Sequence, residues 1–322
     1  MSRAVSETTA LALLREGREA LAGRGIQTAR QDAEWLLASV LGVDRFSLYV
    51  EPTREAAPAG VVRYRALVDR RAAHEPLQYI LGFEDFHGLR LAVTPDVLIP
   101  RPETEVLVEW AIEILKDLDP AVAADLGTGC GAIACVLAAS LPGVEVLAVD
   151  RSLGALAVAS DNVRRLGLGE RVKLLAGDLF EPLGSIRSAL DLVVANPPYI
   201  PSAVLPTLPT EVSAFEPRLA LDGGPDGMAV IRRIIAGAPA ALRPGGWLLM
   251  EIGEEQAGPL ASLMAAEGFS GIRARRDLRG VERYIGGAWG EPAGELGVGT
   301  RRSVCLWRPG SSSKAGRPSG AR

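Results

Sequence analysis

The chain of 322 residues has only three cysteines, Cys130, Cys135 and Cys305, and two histidines, His74 and His87. Three scattered thiols supply neither a disulfide framework nor the paired spacing of a zinc site, and they suit a reducing compartment. The two histidines form no cluster with other ligand types, so each is expected to be structural and no metal is expected. Lysine is nearly absent: Lys116, Lys173 and Lys314 are the only three among 35 basic residues, an excess of arginine that reads as genome composition. The formal net charge is only -4, which gives no whole-molecule pull towards nucleic acid or an anionic membrane and leaves only a local basic patch open. No stretch approaches the roughly 20 apolar residues of a membrane helix. Glu7, Arg15, Glu16, Arg18 and Glu19 break up the start of the chain, so no secretory signal is expected and a cytoplasmic setting is. What remains is 48% hydrophobic and 23% charged, the composition of an ordinary globular protein long enough for one large domain and a small one.

Residues 1–75 read as helical. Thr28-Ala29-Arg30-Gln31 has the form of a capping box, Ala33, Leu36, Leu37, Val40 and Leu41 follow at helical spacing, and Gly42 ends the run. A second run from Ala59 to Ala73 puts Val61, Val62, Arg65 and Val68 on a common side, and Arg63, Arg65, Arg70 and Arg71 make it basic. A solvated helix face explains that charge more simply than partner binding does. From 76 to 100, Gly82, Gly88, Pro95 and Pro100 interrupt an alternation of Leu89, Leu91 and Val93, which predicts a hairpin linker. Residues 101–289 then alternate. Strands are expected at Ala121–Leu126, Val144–Val149, Val172–Leu175, Asp191–Ala195 and Trp247–Ile252, with helices at Ala132–Ser140, Leu153–Leu166 and Met228–Ala241. Such alternation implies an α/β fold with a parallel sheet covered on both faces. Residues 290–322 are rich in Gly, Pro and Ser, and Ser311–Arg322 is expected to be disordered.

Two motifs carry chemistry. The first predicted strand runs into Asp125-Leu126-Gly127-Thr128-Gly129-Cys130-Gly131, a glycine turn leading to a helix. Glycine admits positive φ and close approach of a ligand. Asp150 ends the next strand, where a carboxylate can accept both ribose hydroxyls of an adenosine. The Gly-x-Gly-x-Gly spacing differs from the dinucleotide Gly-x-Gly-x-x-Gly. Asp125 could bind an ammonium group or order the loop. Together these favour S-adenosyl-L-methionine over a nicotinamide dinucleotide, with a purely structural turn as the bland alternative. Cys130 reads as a small filler and not a nucleophile.

The second motif, Asn196-Pro197-Pro198-Tyr199, follows an apolar strand, at the edge where parallel sheets bind ligands. Two prolines stiffen the backbone and remove two donors. The acceptors left are the Asn196 side-chain oxygen and the Pro197 carbonyl, a match for the two N–H groups of an amide or aromatic amine. The lone pair of such a nitrogen is delocalised; holding both N–H groups off-plane turns it towards a methyl donor. Tyr199 can stack on the flat group. Asn196, Pro197 and Tyr199 are therefore the candidate catalytic residues, and Asn196 to Tyr199 the candidate substrate site.

With these motifs the chain resembles the HemK family of peptide chain release factor glutamine N5-methyltransferases. The likeness covers roughly residues 10–286. It rests further on His74-Glu75-Pro76-Leu77-Gln78-Tyr79-Ile80 with Gly82, on Val97 to Glu105, on Phe215-Glu216-Pro217, and on Asp277 with Glu282-Arg283-Tyr284. The resemblance implies a class I (Rossmann-like, seven-stranded) methyltransferase domain behind a small helical substrate-recognition domain. It implies cofactor contacts from Gly127, Thr128, Gly129, Cys130, Gly131, Asp150, Asp178, Leu179 and Asn196, and a segment from Ile99 to Thr104 lying over the cofactor. Family members often carry an aromatic at the place of Leu179; the leucine can still pack on adenine, and the stacking contribution is either lost or supplied by Phe180. The implied substrate is the glutamine of a Gly-Gly-Gln loop in class I release factors, bound by a monomer without direct nucleic-acid contact. The alternatives are a ribosomal-protein glutamine and a nucleic-acid amino group. The family does not account for residues 290–322, where an extra edge strand around Arg301–Trp307 is the only suggestion.

Overall fold

The computed structural model describes residues 8–184 and 187–290. The expectations for Ser311–Arg322, for a strand near Arg301–Trp307 and for Cys305 lie outside them.

Five helices open the chain: α1 (Ala10–Ala22), α2 (Ala29–Leu41), α3 (Ser47–Val50), α4 (Pro58–Ala72) and α5 (Leu77–Leu81). The first four close around their own core, in which Leu13, Leu21, Leu36, Leu37 and Tyr64 are fully buried. Gly42 takes up the left-handed conformation at φ 63° and ends α2 as expected. The expected capping box does not form. Thr28 makes no side-chain bond to the backbone, because its φ of -94° and ψ of 16° depart from the extended geometry of a capping residue; its hydroxyl donates to the Asp32 carboxylate at 2.9 Å. In α4 the buried stripe is Val61, Tyr64, Val68 and Arg71, spaced at i, i+3, i+7 and i+10. Val62 and Arg65 were expected on that side, but Val62 is 69% exposed and Arg65 pairs with Glu16 on α1 at 2.7 Å. Their places on the helix lie one step round from the stripe. The basic character of α4 is largely neutralised within the fold: Arg70 pairs with Glu75, and buried Arg71 with Asp32 and Glu211.

Strands β1 (Phe83–Phe86) and β2 (Leu89–Ala92) make the expected hairpin. Its two-residue turn, His87-Gly88, has positive φ at both positions (46° and 77°), the geometry that matches the strand twist. Then come α6 (Pro102–Leu115), β3 (Ala121–Leu126), α7 (Ala132–Ser140), β4 (Val144–Asp150), α8 (Leu153–Arg165), β5 (Val172–Ala176), β6 (Leu190–Ala195), α9 (Thr210–Ser213), α10 (Ala229–Ala241), β7 (Leu242–Glu251), α11 (Ala257–Ala266), β8 (Phe269–Arg276) and β9 (Glu282–Trp289). Helix α6 was not expected from the sequence pattern; Pro102 at its first turn starts it.

Seven strands form one sheet in the order β5-β4-β3-β6-β7-β9-β8. The first five run parallel, and β9 is antiparallel to both its neighbours. Alternate residues face opposite layers. Leu192 and Val194 of β6 pack with α6, α7 and α8, while Val193 and Ala195 pack with α10 and α11. The strand order reverses between β3 and β6, which opens a crevice at their C-terminal ends. The glycine turn leaves β3 there, and the Asn-Pro-Pro-Tyr segment leaves β6 beside it.

Candidate active site

A cleft of about 220 Å³ lies in that crevice, and Gly127 to Cys130, Asp150, Asp178, Leu179 and Asn196 to Pro198 all line it. Gly127, Gly129 and Gly131 have φ of 74°, 57° and 83°, which explains the three glycines. A Cβ at Gly127 or Gly129 would meet nothing within 4 Å, so conformation and open space, not crowding, hold those positions. The turn is anchored from beneath: the Gly127 and Thr128 N–H groups donate to the Val149 carbonyl of β4. Asp125 is 1% exposed. Its Oδ2 accepts from the Thr128 hydroxyl at 2.6 Å and the Ala134 N–H at 3.2 Å, so it orders the loop from within. Its Oδ1 is buried without a partner. Burial pushes the Asp125 carboxyl up to about 7, and the two hydrogen bonds only partly oppose this.

Asp150 accepts from the Gly129 N–H at 2.9 Å and the Ser152 N–H at 2.8 Å, one on each oxygen. A carboxylate has about four lone-pair sites, so capacity for a diol remains. Asp178 pairs with Arg233 at 2.8 Å. Leu179 stands at φ 53° with its place on the cleft wall. Of the two outcomes left open for the stacking, the structure favours its loss: Phe180 is absent from the cleft lining and packs into the core over Gly237 of α10, because the backbone turns at Leu179. Cys130 is 2% exposed, and burial pushes its thiol up to about 12, the environment of a filler. Among the described residues no cluster of His, Cys, Asp and Glu could hold a metal, and no helix is long and apolar enough to cross a membrane.

At the other end of the cleft, Asn196 is tied into a line of hydrogen bonds that sequence reasoning missed. Its Nδ2 donates to Thr104 Oγ1 at 3.0 Å, Thr104 Oγ1 donates to Glu251 Oε2 at 2.7 Å, and the Tyr199 hydroxyl donates to Glu251 Oε1 at 3.1 Å. Thr104 is 4% exposed and Glu251 2%. Burial raises the Glu251 carboxyl above the ordinary range; the Thr104 and Tyr199 bonds oppose the shift, the Glu103 charge adds to it and Arg283 lowers it. The signal for Glu251 was present: one acid ends the apolar run Trp247-Leu248-Leu249-Met250, where a carboxylate is costly unless it is bonded.

Tyr199 lines a second cavity of about 200 Å³ that shares Leu98, Arg101, Asn196 and Ala220 with the cleft. Its carbonyl accepts from Gln256 Nε2 at 3.1 Å. Arg101 pairs with buried Glu216 at 2.5 Å, so the Pro-Arg-Pro and Phe-Glu-Pro motifs meet at the junction. The Ile99–Thr104 segment contributes Pro100, Arg101 and Thr104 to the cleft wall. A further unforeseen residue is Asn162 of α8, 1% exposed. Its Nδ2 donates to the carbonyls of Cys130 and Ala92, and its Oδ1 accepts from the Ala92 N–H, stapling the β2 hairpin strand to the glycine turn.

A reversing seven-stranded sheet with a glycine cleft beside an Asn-Pro-Pro-Tyr segment defines a class I methyltransferase. Residues 12–82 match the family described as PrmC N-terminal domain, and residues 104–205 that described as methyltransferase small domain. A release factor glutamine methyltransferase of Geobacter sulfurreducens is 47% identical over 270 residues, 84% of this chain and 93% of that protein. One of Moorella thermoacetica is 48% identical over 248 residues, 77% of this chain and 87% of that protein. The N-terminal domain of human METTL16, solved in complex with SAH, has the same fold at 20% identity and a TM-score of 0.50, over 69% of this chain and 84% of that one. The chain belongs to the release factor glutamine methyltransferase family.

Proposed function

We propose that this methyltransferase uses S-adenosyl-L-methionine to methylate the N5 amide nitrogen of the glutamine in the Gly-Gly-Gln loop of class I release factors. The observation that carries the reading is the anchored carboxamide of Asn196. With Nδ2 engaged by Thr104, its oxygen is left as an acceptor, Asn196 and Pro197 both line the cleft, and a primary amide offers two N–H groups to match an amide oxygen and a carbonyl. The names of the relatives, at 47% and 48% identity, support the same substrate.

The cleft suits the proposed cofactor. Of the charged residues that line it, Arg101, Asp178 with Arg233, and Asp222 are neutralised in ion pairs, which leaves Asp96 and Asp150 against Arg151. A net-acidic cleft favours a sulfonium cation over the phosphates of a dinucleotide. Gly127 to Gly131 and Asp150 would hold the aminoacyl and ribose parts, and Asp178 and Leu179 would flank the adenine. When bound, the cofactor supplies a methyl group on an already activated sulfonium. The protein's task is then positioning. Asn196 and Pro197 fix the two N–H groups, Tyr199 holds the flat amide, and the apolar walls exclude water; the surplus proton leaves to solvent. The helices of residues 8–75 are the proposed grip on the protein partner.

The test is mass spectrometry of a purified release factor after incubation with the protein and S-adenosyl-L-methionine, with one added methyl on the Gly-Gly-Gln glutamine expected. Asn196→Ala should lower kcat by roughly 10²–10³-fold, the scale of losing one preorganised contact, with the fold unchanged by circular dichroism. Cofactor binding without methylation would move the substrate search to ribosomal proteins and nucleic acid.

A further inference from the structure

We propose that Thr104 and Glu251 are positioning residues that decide which way round the Asn196 carboxamide sits, and so keep its oxygen turned to the substrate. The proposal rests on the reading of Asn196 as the acceptor for a substrate N–H.

A carboxamide is nearly symmetric in shape but not in chemistry. Turned over about its last bond, Asn196 would present donors where the substrate also presents donors. Packing cannot distinguish the two orientations; only its hydrogen-bond partners can. Glu251 breaks the symmetry in its ionised form: a carboxylate only accepts, and both its oxygens are in use, Oε1 by the Tyr199 hydroxyl and Oε2 by the Thr104 hydroxyl. Thr104 has a single hydroxyl proton. With that proton directed at Glu251, Thr104 meets Asn196 as an acceptor, so Nδ2 must face it and Oδ1 faces away. A reversed carboxamide would set two oxygens against each other with no proton between them.

The three groups come from three elements: Thr104 from the first turn of α6, Asn196 from the end of β6 and Glu251 from the end of β7. Thr104 and Glu251 are almost fully buried, so water offers no substitute donor that would let the line reverse. A valine would fill the place of Thr104 as well in shape, and glutamine the place of Glu251, yet neither would carry the direction of the bonds.

The sequence makes a clean test possible, because it contains only two asparagines, Asn162 and Asn196. In cofactor-free protein labelled with ¹⁵N-asparagine, the side-chain amide region of an NMR spectrum therefore holds two NH₂ pairs, and Asn162, bonded to Ala92 and Cys130, serves as the internal reference. Thr104→Val and Glu251→Gln should shift the Asn196 pair and speed its exchange with water by roughly 5–10-fold, about the factor that one hydrogen bond of ordinary net strength supplies. The Asn162 pair should stay in place, which also reports that the fold is intact, and Thr104→Ser should leave both pairs unmoved. In turnover, Thr104→Val and Glu251→Gln should lose roughly 10²-fold in kcat with KM little changed, while Thr104→Ser keeps most of the rate. An Asn196 pair in Thr104→Val that matches the wild type would overturn the proposal. So would equal turnover in the serine and valine variants. If wild-type protein methylates no release factor, the substrate reading falls, and the NMR comparison still decides the role of Thr104 and Glu251.

Discussion

Asp125 is the residue where burial and function pull apart most clearly. It holds the glycine turn through Thr128 and Ala134, yet its carboxyl is pushed up to about 7 and one oxygen has no partner. A carboxyl with an unfolded value of about 3.9 then binds its proton more tightly in the folded protein. The folded state loses that advantage as pH rises, so stability should fall between about pH 4 and pH 7 and level off above. In Asp125→Asn the amide oxygen can still accept from Thr128, but the titration is gone. Melting temperatures across this range should therefore decline less steeply in the variant, and parallel curves would refute the assignment. Gly129 has a different vulnerability. At φ 57° an alanine is strained by about 1–2 kcal/mol, and its methyl would project into the cleft side of the turn. Gly129→Ala should cost that much in denaturant unfolding and weaken cofactor binding by more than the stability loss alone explains.

Among the elements, the hairpin β1–β2 and the glycine turn stand together because Asn162 on α8 joins them. Asn162→Ala would leave three backbone groups of Ala92 and Cys130 without their partner, and with each unsatisfied buried group costing about 1–3 kcal/mol the variant should be destabilised by at least ~2 kcal/mol in urea unfolding. Its cofactor affinity should drop too, since the Cys130 carbonyl sits within the turn. None of this was legible in the sequence, where Asn162 is one polar residue in a helical run. What was legible followed from local chemistry: apolar runs alternating with helical ones marked five of the seven strands, β3 to β7 but not β8 or β9, and the glycines marked the turn at Gly127–Gly131. The Asn196 motif was readable for the same reason, as two prolines constrain the chain wherever it goes. Thr104 and Arg71 were not, and for Glu251 only its burial was signalled and not its role, because each acquires its meaning from a partner far along the chain, at separations of 147 residues for Thr104–Glu251 and 140 for Arg71–Glu211. Helix α6 was missed since its apolar residues follow a proline-rich segment that reads as linker. Which of the two outcomes holds at Phe180 was not readable, because the left-handed residue Leu179, which redirects the chain, has no signature in a non-glycine sequence.

At the scale of the molecule, the helices before residue 75 and the sheet behind the cleft fall within one compact unit, Met1–Pro292, and a single buried arginine helps to make them so. Arg71 of α4 donates to Asp32 of α2 at 2.7 Å and to Glu211 of α9 at 2.6 Å, while itself 3% exposed. Glu211 belongs to the segment that follows the Asn-Pro-Pro-Tyr motif, so the same guanidinium touches the helical bundle and the neighbourhood of the second cavity. Removing it would strand Asp32 as an uncompensated buried charge, at a cost of about 3–5 kcal/mol, and would cut the charged link between the two parts. A ligand that binds only the folded cleft, at about 100 times its Kd, adds about 2.7 kcal/mol. In the wild type that gain should move one calorimetric transition as a whole, bundle and sheet together. In Arg71→Ala the bundle should melt earlier, as a separate transition that S-adenosyl-L-methionine no longer moves, while the transition of the sheet still responds. A variant that keeps one transition with the full ligand shift would mean that packing among α1, α2, α4 and the hairpin, and not the Arg71 link, couples the helical bundle to the cleft.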